Sequence, residues 1–271
     1  MIALLRPLAR RLREQIKLRL GLDEVRHTVA ARRRRIAERL FEECGGVVRH
    51  GPLKGLRLAG GNWSIYDKAA MLLGLYEQEL LALLDRPYPG RPLLVNLGAA
   101  DGYYPIGLLR ANRFERALCF ELSETGRATI AANAETNGVA GRITLRGAAG
   151  PDLLAQLRAE AVDPAGAVVL CDIEGAEFDL LTDPVLGFLA PAVVLIETHA
   201  HLRSDGPAAL ARLIAEAGRH FRVTEFRTGA RDPSRFPELE SWSDNDRWLL
   251  CSEGRASLGH WLLLEPREAA A

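Results

Sequence analysis

This sequence has little lysine and no excess of charge of either sign. Only three of its 35 basic residues are lysine, and 35 acidic residues balance them, so the formal net charge at pH 7 is zero. A neutral chain has no overall basic field with which to attract a polyanion. We therefore expect no nucleic-acid partner.

Cysteine pairs and long apolar runs are also missing. None of the four cysteines forms a C-x-x-C pair, which argues against a disulfide framework or a zinc site. We expect the thiols to be reduced and buried, as in a cytoplasmic protein. No run of about 18 apolar residues is present, so no transmembrane segment is predicted. The N-terminus lacks the apolar core and cleavage site of a signal peptide, and the predicted location is cytoplasmic.

The most informative stretch that is present runs from Leu93 to Gly107, LLVNLGAADGYYPIG. Its apolar start predicts a buried strand, Gly98 and Gly102 predict a tight turn, and Tyr103 begins a predicted helix. This order is typical of the nucleotide-binding corner of an open α/β sheet. A dinucleotide fingerprint requires glycine where this chain has Ala100 and Tyr103, so NAD and FAD are disfavoured.

A turn with the spacing G-x-x-x-G suits S-adenosylmethionine (SAM), which has no pyrophosphate. The amino-acid end of SAM can lie against glycine backbone, and its carboxylate can meet N–H groups at a helix start. The residues predicted to contact this part of the cofactor are Asn96, Gly98, Ala100, Gly102 and Tyr103. The alternative is a loop whose glycines serve turn geometry alone.

An acidic residue follows the glycine turn at the distance expected for ribose binding. Glu121 ends the second predicted strand, 19 positions after Gly102. A carboxylate about 20 residues beyond such a turn is placed to accept hydrogen bonds from both ribose hydroxyls. A solvated glutamate at a strand end is the alternative. The loop after the third strand, which contains Ala148, is predicted to face the adenine.

Strands and helices alternate from residue 93 onwards. Strands are predicted near 93–97, 116–122, 142–147, 167–172 and 192–197, and helices near 103–112, 124–137, 151–161, 175–189 and 206–219. The continuous apolar strands indicate a parallel sheet covered on both faces. Two later strands, near 221–227 and 246–252, are expected to pair antiparallel because only a polar loop joins them. The predicted fold class is α/β, a Rossmann-like class I methyltransferase sheet of five parallel strands plus an antiparallel terminal pair, with an N-terminal helical extension.

Residues 1–90 are predicted to form an N-terminal helical arm and cap segment, and residues 91–271 a SAM-binding domain. Within the first part, 1–44 read as helical and basic, and 69–84 as a single helix. Two interpretations of the basic arm remain open. Residues 1–35 either make weak peripheral contact with an anionic membrane surface or an acidic partner, or pack on their own domain or on a second subunit of a homo-oligomer.

Chemically active side chains follow the fourth and fifth predicted strands. Asp172 ends the fourth, and Glu197 and His199 end the fifth. Because open α/β sheets bind ligands at the carboxyl ends of their strands, Asp172 is predicted to lie near the methyl donor. His199 is predicted to act as a neutral general base, oriented by Glu197; a structural histidine is the alternative.

A cation is expected among these acids, since Glu174 and Glu177 crowd near Asp172 and carboxylates repel one another unless a positive charge separates them. The ammonium and sulfonium groups of SAM supply such charge, and so does a divalent metal. A metal held by Asp172, Glu197 and His199 is the less favoured alternative, and the prediction is that none is bound. Glu177 is expected to be an acid at a helix N-terminus.

Across residues 93–200 the chain resembles the FkbM-type family of class I SAM-dependent methyltransferases. The matching pieces are NLGAADGYY from Asn96 to Tyr104, Phe120-Glu121, Asn133 with Asn137, DIEGAE from Asp172 to Glu177, and Glu197-Thr198-His199. Weaker similarity extends to 73–80 and 248–255. The family generally has aspartate in place of Asn96, and the neutral amide loses charge attraction for the ammonium of the cofactor.

This resemblance implies transfer of a methyl group from SAM to a hydroxyl of a sugar-containing or other small-molecule or glycan acceptor. Two alternatives stay open. One is a non-catalytic module that binds SAM or its product S-adenosylhomocysteine (SAH), with the basic arm as a tether. The other is an NAD-dependent oxidoreductase, which Ala100 and Tyr103 disfavour. Arg231 and Arg235 are expected to be solvated surface arginines.

Overall fold

Seven strands form one sheet in the computed structural model, which describes residues 22–58, 68–255 and 257–267, with the side chains of 22–28 left aside. The strands are β1 Leu93–Leu97, β2 Arg116–Phe120, β3 Ile143–Arg146, β4 Ala167–Cys171, β5 Val193–Glu197, β6 Phe221–Arg227 and β7 His260–Pro266. Their order across the sheet is β3-β2-β1-β4-β5-β7-β6. Strands β1 to β5 are parallel, and β7 is antiparallel to both of its neighbours. The predicted fold class is therefore confirmed.

The register of the sheet gathers several strand ends at one edge. Leu97, the last residue of β1, pairs with Phe120 of β2 and with Cys171 of β4. The segments that follow β1, β2 and β4 therefore leave the sheet side by side. This edge is where open α/β sheets bind their ligands.

The last predicted strand is wrong. Residues 246–252 belong mostly to a helix, Asp244–Cys251, and the strand that pairs with β5 and β6 is β7, at 260–266. The Ser243 side chain accepts a hydrogen bond from the Asp246 N–H, and two acidic residues occupy the first turn, both of which favour a helix N-terminus. Within the apolar run 248–251, Leu250 and Cys251 are therefore buried by the helix, and Trp248 is 54% exposed.

Ten α-helices of the described residues flank the sheet. They are α1 Leu22–Cys44, α2 Lys68–Leu73, α3 Gln78–Leu84, α4 Tyr103–Arg110, α5 Glu124–Thr136, α6 Leu153–Ala159, α7 Glu177–Leu180, α8 Asp183–Leu189, α9 Gly206–His220 and α10 Asp244–Cys251. The single helix predicted over 69–84 is interrupted at Gly74, which has φ +70° and approaches the His50 carbonyl. The helix predicted over 175–189 is also two helices, and Pro184 lies in the first turn of the second.

The buried core lies on both faces of the sheet. One cluster joins β1 and β4 side chains to the N-terminal elements through residues such as Leu40, Leu72 and Leu80. The other packs the opposite face against α6, α8 and α9. From Ile36 onwards the N-terminal segment therefore shares its apolar core with the sheet. Residues 1–21 of the predicted basic helical arm lie outside the described residues.

The cysteines agree with the prediction of buried thiols. All four, Cys44, Cys119, Cys171 and Cys251, are buried and unbridged. Burial raises the pKa of the Cys119 thiol to about 12, so this thiol stays neutral. None of the helices in the described ranges is long and apolar enough to span a bilayer.

Candidate functional site

The turn between β1 and α4 is held against the end of β4. Gly98 has φ +80° and Gly102 has φ +90°, in the left-handed region that favours glycine. A Cβ atom at Gly98 would lie 1.8 Å from the carbonyl oxygen of Asp172. No residue larger than glycine fits at Gly98 without moving the backbone, so the turn and the strand end form one rigid corner.

Glu121 closes this corner from the end of β2. One oxygen of its carboxylate accepts a hydrogen bond from the Ala100 N–H at 2.8 Å, and the other accepts from the Ser123 N–H at 2.7 Å. A carboxylate oxygen has further lone-pair capacity, so both oxygens can still accept a hydroxyl donor. The glycine turn and the β2 loop are thus fixed relative to each other by one side chain.

A cleft of about 340 Å³ opens at this corner. Among the residues that line it are five predicted to contact the cofactor: Gly98, Ala100, Glu121, Ala148 and Asp172. Its wall is completed by apolar side chains, including Leu122 and Ile173. The structure therefore brings together residues from four different strand ends that the sequence singled out separately.

The three other predicted cofactor residues lie behind this cleft. Asn96 is 1% exposed, and its amide donates to the Gly98 carbonyl at 3.4 Å. Gly102 caps the N-terminus of α4. Tyr103 packs edge-to-face on Tyr104, with ring centroids 5.2 Å apart. These residues support the turn from within the fold.

His199 lies at the end of β5 inside a cage of carboxylates. It is 5% exposed. Its Nε2 lies 3.6 Å from the nearest carboxylate oxygen of each of Asp172, Glu174 and Glu197. Its Nδ1 lies 3.4 Å from Glu177 Oε1. Four acids from the ends of two strands and the start of α7 therefore converge on one imidazole.

These acids control the charge of the imidazole. Burial lowers its pKa, but contact with Glu177 and the charges of Glu197 and Asp172 outweigh burial and raise the pKa of His199 to about 9. Burial in turn raises the pKa of Asp172 to about 6, against the effect of the His199 charge. The surrounding carboxylates therefore favour the protonated imidazole, and this effect opposes the predicted role of neutral base.

Glu177 holds the His199 backbone in place. The Glu177 carboxylate is fully buried and accepts from the N–H groups of His199 at 2.7 Å and Gly175 at 2.8 Å. Despite burial, these contacts with His199 lower the pKa of Glu177, which stays ionised. As expected from the sequence, Glu177 is the first residue of a helix, although α7 has only four residues.

A second cavity, of about 300 Å³, adjoins the first. Asp172 and Glu174 line both cavities, and His199, Glu197 and Arg255 line only the second of these two. A third cavity, of about 490 Å³, shares Arg255 and Leu258 with the second. Asp172 therefore stands at the boundary between the cleft by the glycine turn and a polar space that leads away from it.

Sequence reasoning missed the arginine that holds Glu197. Arg255 donates to Glu197 at 2.6 Å and to Glu253 at 2.8 Å, and it also pairs with Glu77. Glu77 is fully buried and receives a hydrogen bond from Tyr104 as well. Glu77 lies in segment 73–80, and Glu253 and Arg255 lie in segment 248–255, the two segments with weaker family resemblance. That resemblance is the sequence feature that could have indicated these residues, because the two segments meet in this ion cluster.

The expectation of a solvated Arg231 is wrong. This guanidinium is 8% exposed and pairs with Glu79 at 2.7 Å and with Glu253 at 2.6 Å. It belongs to the same network of ion pairs as Arg255, since both contact Glu253. Its side chain is thus used inside the fold, in ion pairs with two glutamates.

His199 and two of the carboxylates around it are also arranged like metal ligands. Asp172, Glu174 and His199 each offer one ligand atom, and these three atoms lie within 4.8 Å of one another. This set differs from the predicted alternative, because it contains Glu174 in place of Glu197. Glu197 remains nearby, with its Oε2 3.6 Å from the imidazole Nε2.

Comparisons with known proteins yield structures of low identity. A search of family models finds no match, and neither does a search of curated proteins. Among solved structures the chain is similar to an O-methyltransferase from Bacillus cereus in complex with SAH (TM-score 0.47, 12% identity, covering 70% of this chain and 78% of that one). It is also similar to precorrin-6y C5,15-methyltransferase from Geobacter metallireducens (TM-score 0.47, 16% identity, covering 70% of this chain and 89% of that one). A third similar structure is a Bacillus subtilis tRNA methyltransferase (TM-score 0.43, 9% identity, covering 70% of this chain and 65% of that one).

Proposed function

We propose that this chain is a SAM-dependent methyltransferase. The observation that carries the proposal is the arrangement of two cavities at the carboxyl edge of the sheet. The first is formed by the glycine turn and Glu121, and it meets the second at Asp172. A methyl donor in the first cavity and an acceptor in the second would face each other at that boundary.

The cofactor would lie along the β1–β2 corner. Its amino-acid end fits against the backbone of Gly98 and Ala100, close to the N-terminus of α4. The ribose hydroxyls would donate to Glu121, whose oxygens are already oriented by two backbone N–H groups. Adenine would lie by Ala148 and Leu122. The FkbM-type resemblance of residues 93–200 supports the same placement.

The acceptor would bind in the second cavity, and we propose a hydroxyl of a sugar-containing or other small-molecule acceptor as the methylated group. Alignment of that oxygen with the methyl group supplies much of the acceleration, since the sulfonium is already a reactive donor. The proton of the hydroxyl would pass to a carboxylate at the boundary, where Asp172 lines both cavities. His199 would hold these carboxylates in position.

The test is calorimetry of the full chain with SAM, SAH and NADH, followed by incubation with methyl-labelled SAM and cell extract. We expect heat with SAM and SAH, none with NADH, and a labelled product. Binding of SAH without any labelled product would favour the non-catalytic module. Absence of both heat and a melting shift with SAM and SAH would contradict the proposal, and preferential binding of NADH would revive the oxidoreductase alternative.

A further inference from the structure

The cage around His199 has unused coordinating atoms at its centre. The imidazole is more than nine-tenths buried, and its Nε2 points at three carboxylates, those of Asp172, Glu174 and Glu197, each 3.6 Å away. Nδ1 faces Glu177 Oε1 at 3.4 Å and belongs to a separate contact. Nε2 lies 3.6 Å from each of three carboxylate oxygens, beyond hydrogen-bond distance, and is therefore available to coordinate a ligand.

Asp172 presents a second atom of this kind. Its Oδ1, the oxygen nearest to the imidazole, is buried and accepts no hydrogen bond in the described part of the chain. An ionised carboxylate oxygen only accepts, so its partner must be a donor or a cation. The imidazole Nε2 and this buried carboxylate oxygen therefore lie 3.6 Å apart, between the ends of β4 and β5.

The charges around this point are strongly unequal. Four carboxylates surround the imidazole, and the guanidinium that contacts one of them, Arg255, also neutralises Glu77 and Glu253. Asp172 and Glu174 have no guanidinium or ammonium partner among the described residues. A proton on His199 offsets one negative charge and leaves the rest close together, and a divalent cation offsets two.

The spacing of the ligand atoms also suits an ion. Atoms of Asp172, Glu174 and His199 lie within 4.8 Å of one another. Two ligands on opposite sides of a small divalent ion, each about 2.1–2.2 Å from it, are about 4.3 Å apart. A closure of a few tenths of an ångström would complete the site, and Glu174, whose side chain is 78% exposed, is free to make it.

We propose that Asp172, Glu174 and His199 bind one divalent cation at the boundary of the two cavities, with Glu197 beside it. Ca²⁺ and Mg²⁺ prefer oxygen ligands alone. A set of two carboxylate oxygens and one imidazole nitrogen suits an ion such as Mn²⁺ better. The site is defined by its own residues and lies on the acceptor side of the proposed methyltransferase. It adds a cation-binding function that methyl transfer from SAM does not itself require.

The test is to titrate the full chain with Mn²⁺ alone, in the absence of SAM. The electron paramagnetic resonance signal of the free ion measures how much Mn²⁺ stays unbound. We expect one bound ion per chain. The variant Glu174→Gln changes an exposed side chain, so the fold is retained, and we expect its affinity to fall about tenfold or more. The matched control is Glu225→Gln, because Glu225 is also an exposed glutamate that contacts a histidine, His260, outside the cage. The control should bind like the wild type.

A second measurement asks whether the imidazole is a ligand. Electron spin-echo modulation from directly bound ¹⁴N should be present in the wild type with Mn²⁺ and absent in His199→Asn. No binding at millimolar Mn²⁺, several ions bound equally by wild type and Glu174→Gln, or a bound ion without ¹⁴N modulation would each overturn the proposal.

Separate calorimetry with SAH keeps the two proposals distinct. A chain that binds SAH but fails to bind Mn²⁺ would contradict the cation site alone and leave the methyltransferase proposal standing. A chain that binds Mn²⁺ but fails to bind SAH would support the cation site and contradict methyl transfer.

Discussion

Gly98, in the turn between β1 and α4, has little space around it. Its φ of +80° is close to the φ of Gly138, which is +69°. An added Cβ at Gly98 would meet the Asp172 carbonyl at 1.8 Å, whereas one at Gly138 would meet nothing within 4 Å. The two positions share a backbone conformation and differ in their surroundings, so they separate backbone strain from steric clash.

Replacement of this glycine should affect both stability and cofactor binding. We expect Gly98→Ala to lower the free energy of unfolding by about 3 kcal/mol and to abolish SAH binding, because the turn must move away from β4. Gly138→Ala should cost only about 1 kcal/mol, from its positive φ alone, and should bind SAH normally. Urea unfolding and calorimetry check both variants, and equal losses in the two would contradict the steric explanation.

Glu121 permits a finer change at the same corner. Glu121→Gln keeps the shape but replaces one accepting oxygen with an NH₂ group, which cannot accept from both the Ala100 and Ser123 N–H groups. We expect the dissociation constant of SAH, measured by calorimetry, to rise about tenfold. Glu124→Gln alters an exposed acid in the first turn of α5 and serves as the control. An unchanged SAH affinity of Glu121→Gln would remove Glu121 from the cofactor site.

Among the elements, α3 is joined to the loop after β6 by a buried ion pair. Both oxygens of Glu79 accept from Arg231, at 2.7 and 2.9 Å, and one also accepts from the Gly229 N–H. Burial alone would raise the pKa of Glu79, but the hydrogen bonds from Arg231 outweigh it and lower the pKa below its ordinary value of 4.5. The pair therefore contributes to stability only while Glu79 is ionised.

This contribution should depend on pH with a definite sign. Because the pKa of Glu79 is lower in the folded chain, the stabilisation is complete above about pH 4.5 and is lost as the pH falls through the folded-state pKa. We expect Glu79→Gln to reduce the free energy of unfolding by about 2 kcal/mol at pH 7, and by progressively less below pH 4. Urea unfolding across this range measures the difference. The exposed Glu240→Gln should show none, and a pH-independent effect of Glu79→Gln would contradict the argument.

Across the whole molecule, the N-terminal helices and the sheet share one apolar cluster. Leu40 of α1 and Leu72 of α2 are fully buried in the cluster that also contains Leu94 of β1. A segment that depends on the sheet for its own burial gains little stability when separated from it. We therefore expect residues 36–58 and 68–84 to unfold together with the sheet.

Leu72→Ala tests this cooperativity. We expect it to lower the free energy of unfolding by about 3 kcal/mol and to leave a single transition, with circular dichroism and tryptophan fluorescence changing together. Leu202→Ala removes a leucine that is 55% exposed, and it should change stability by less than about 0.5 kcal/mol. A separate transition for the N-terminal helices would show instead that they form an independent unit.

Errors in the sequence prediction have local physical causes. A short apolar stretch such as 248–251 does not by itself distinguish a strand from a helix, and the Ser243 cap with two first-turn acids favours the helix. The helix predicted over 69–84 is broken because Gly74 lies against the His50 carbonyl, a contact that neighbouring residues cannot reveal. The boundaries of β1 to β5 were predicted to within about two residues, since continuous apolar runs between turn residues specify them.

Residues close together in the chain were sufficient to predict the glycine turn, the parallel strands and the acids at the strand ends, because backbone conformation and burial are set largely by near neighbours. The charge of His199 and the position of Glu197 depend instead on groups that are distant in sequence, namely four carboxylates around one ring and Arg255 bridging Glu77, Glu197 and Glu253. Electrostatic interactions follow distance in space, so these properties exist only once the chain has folded.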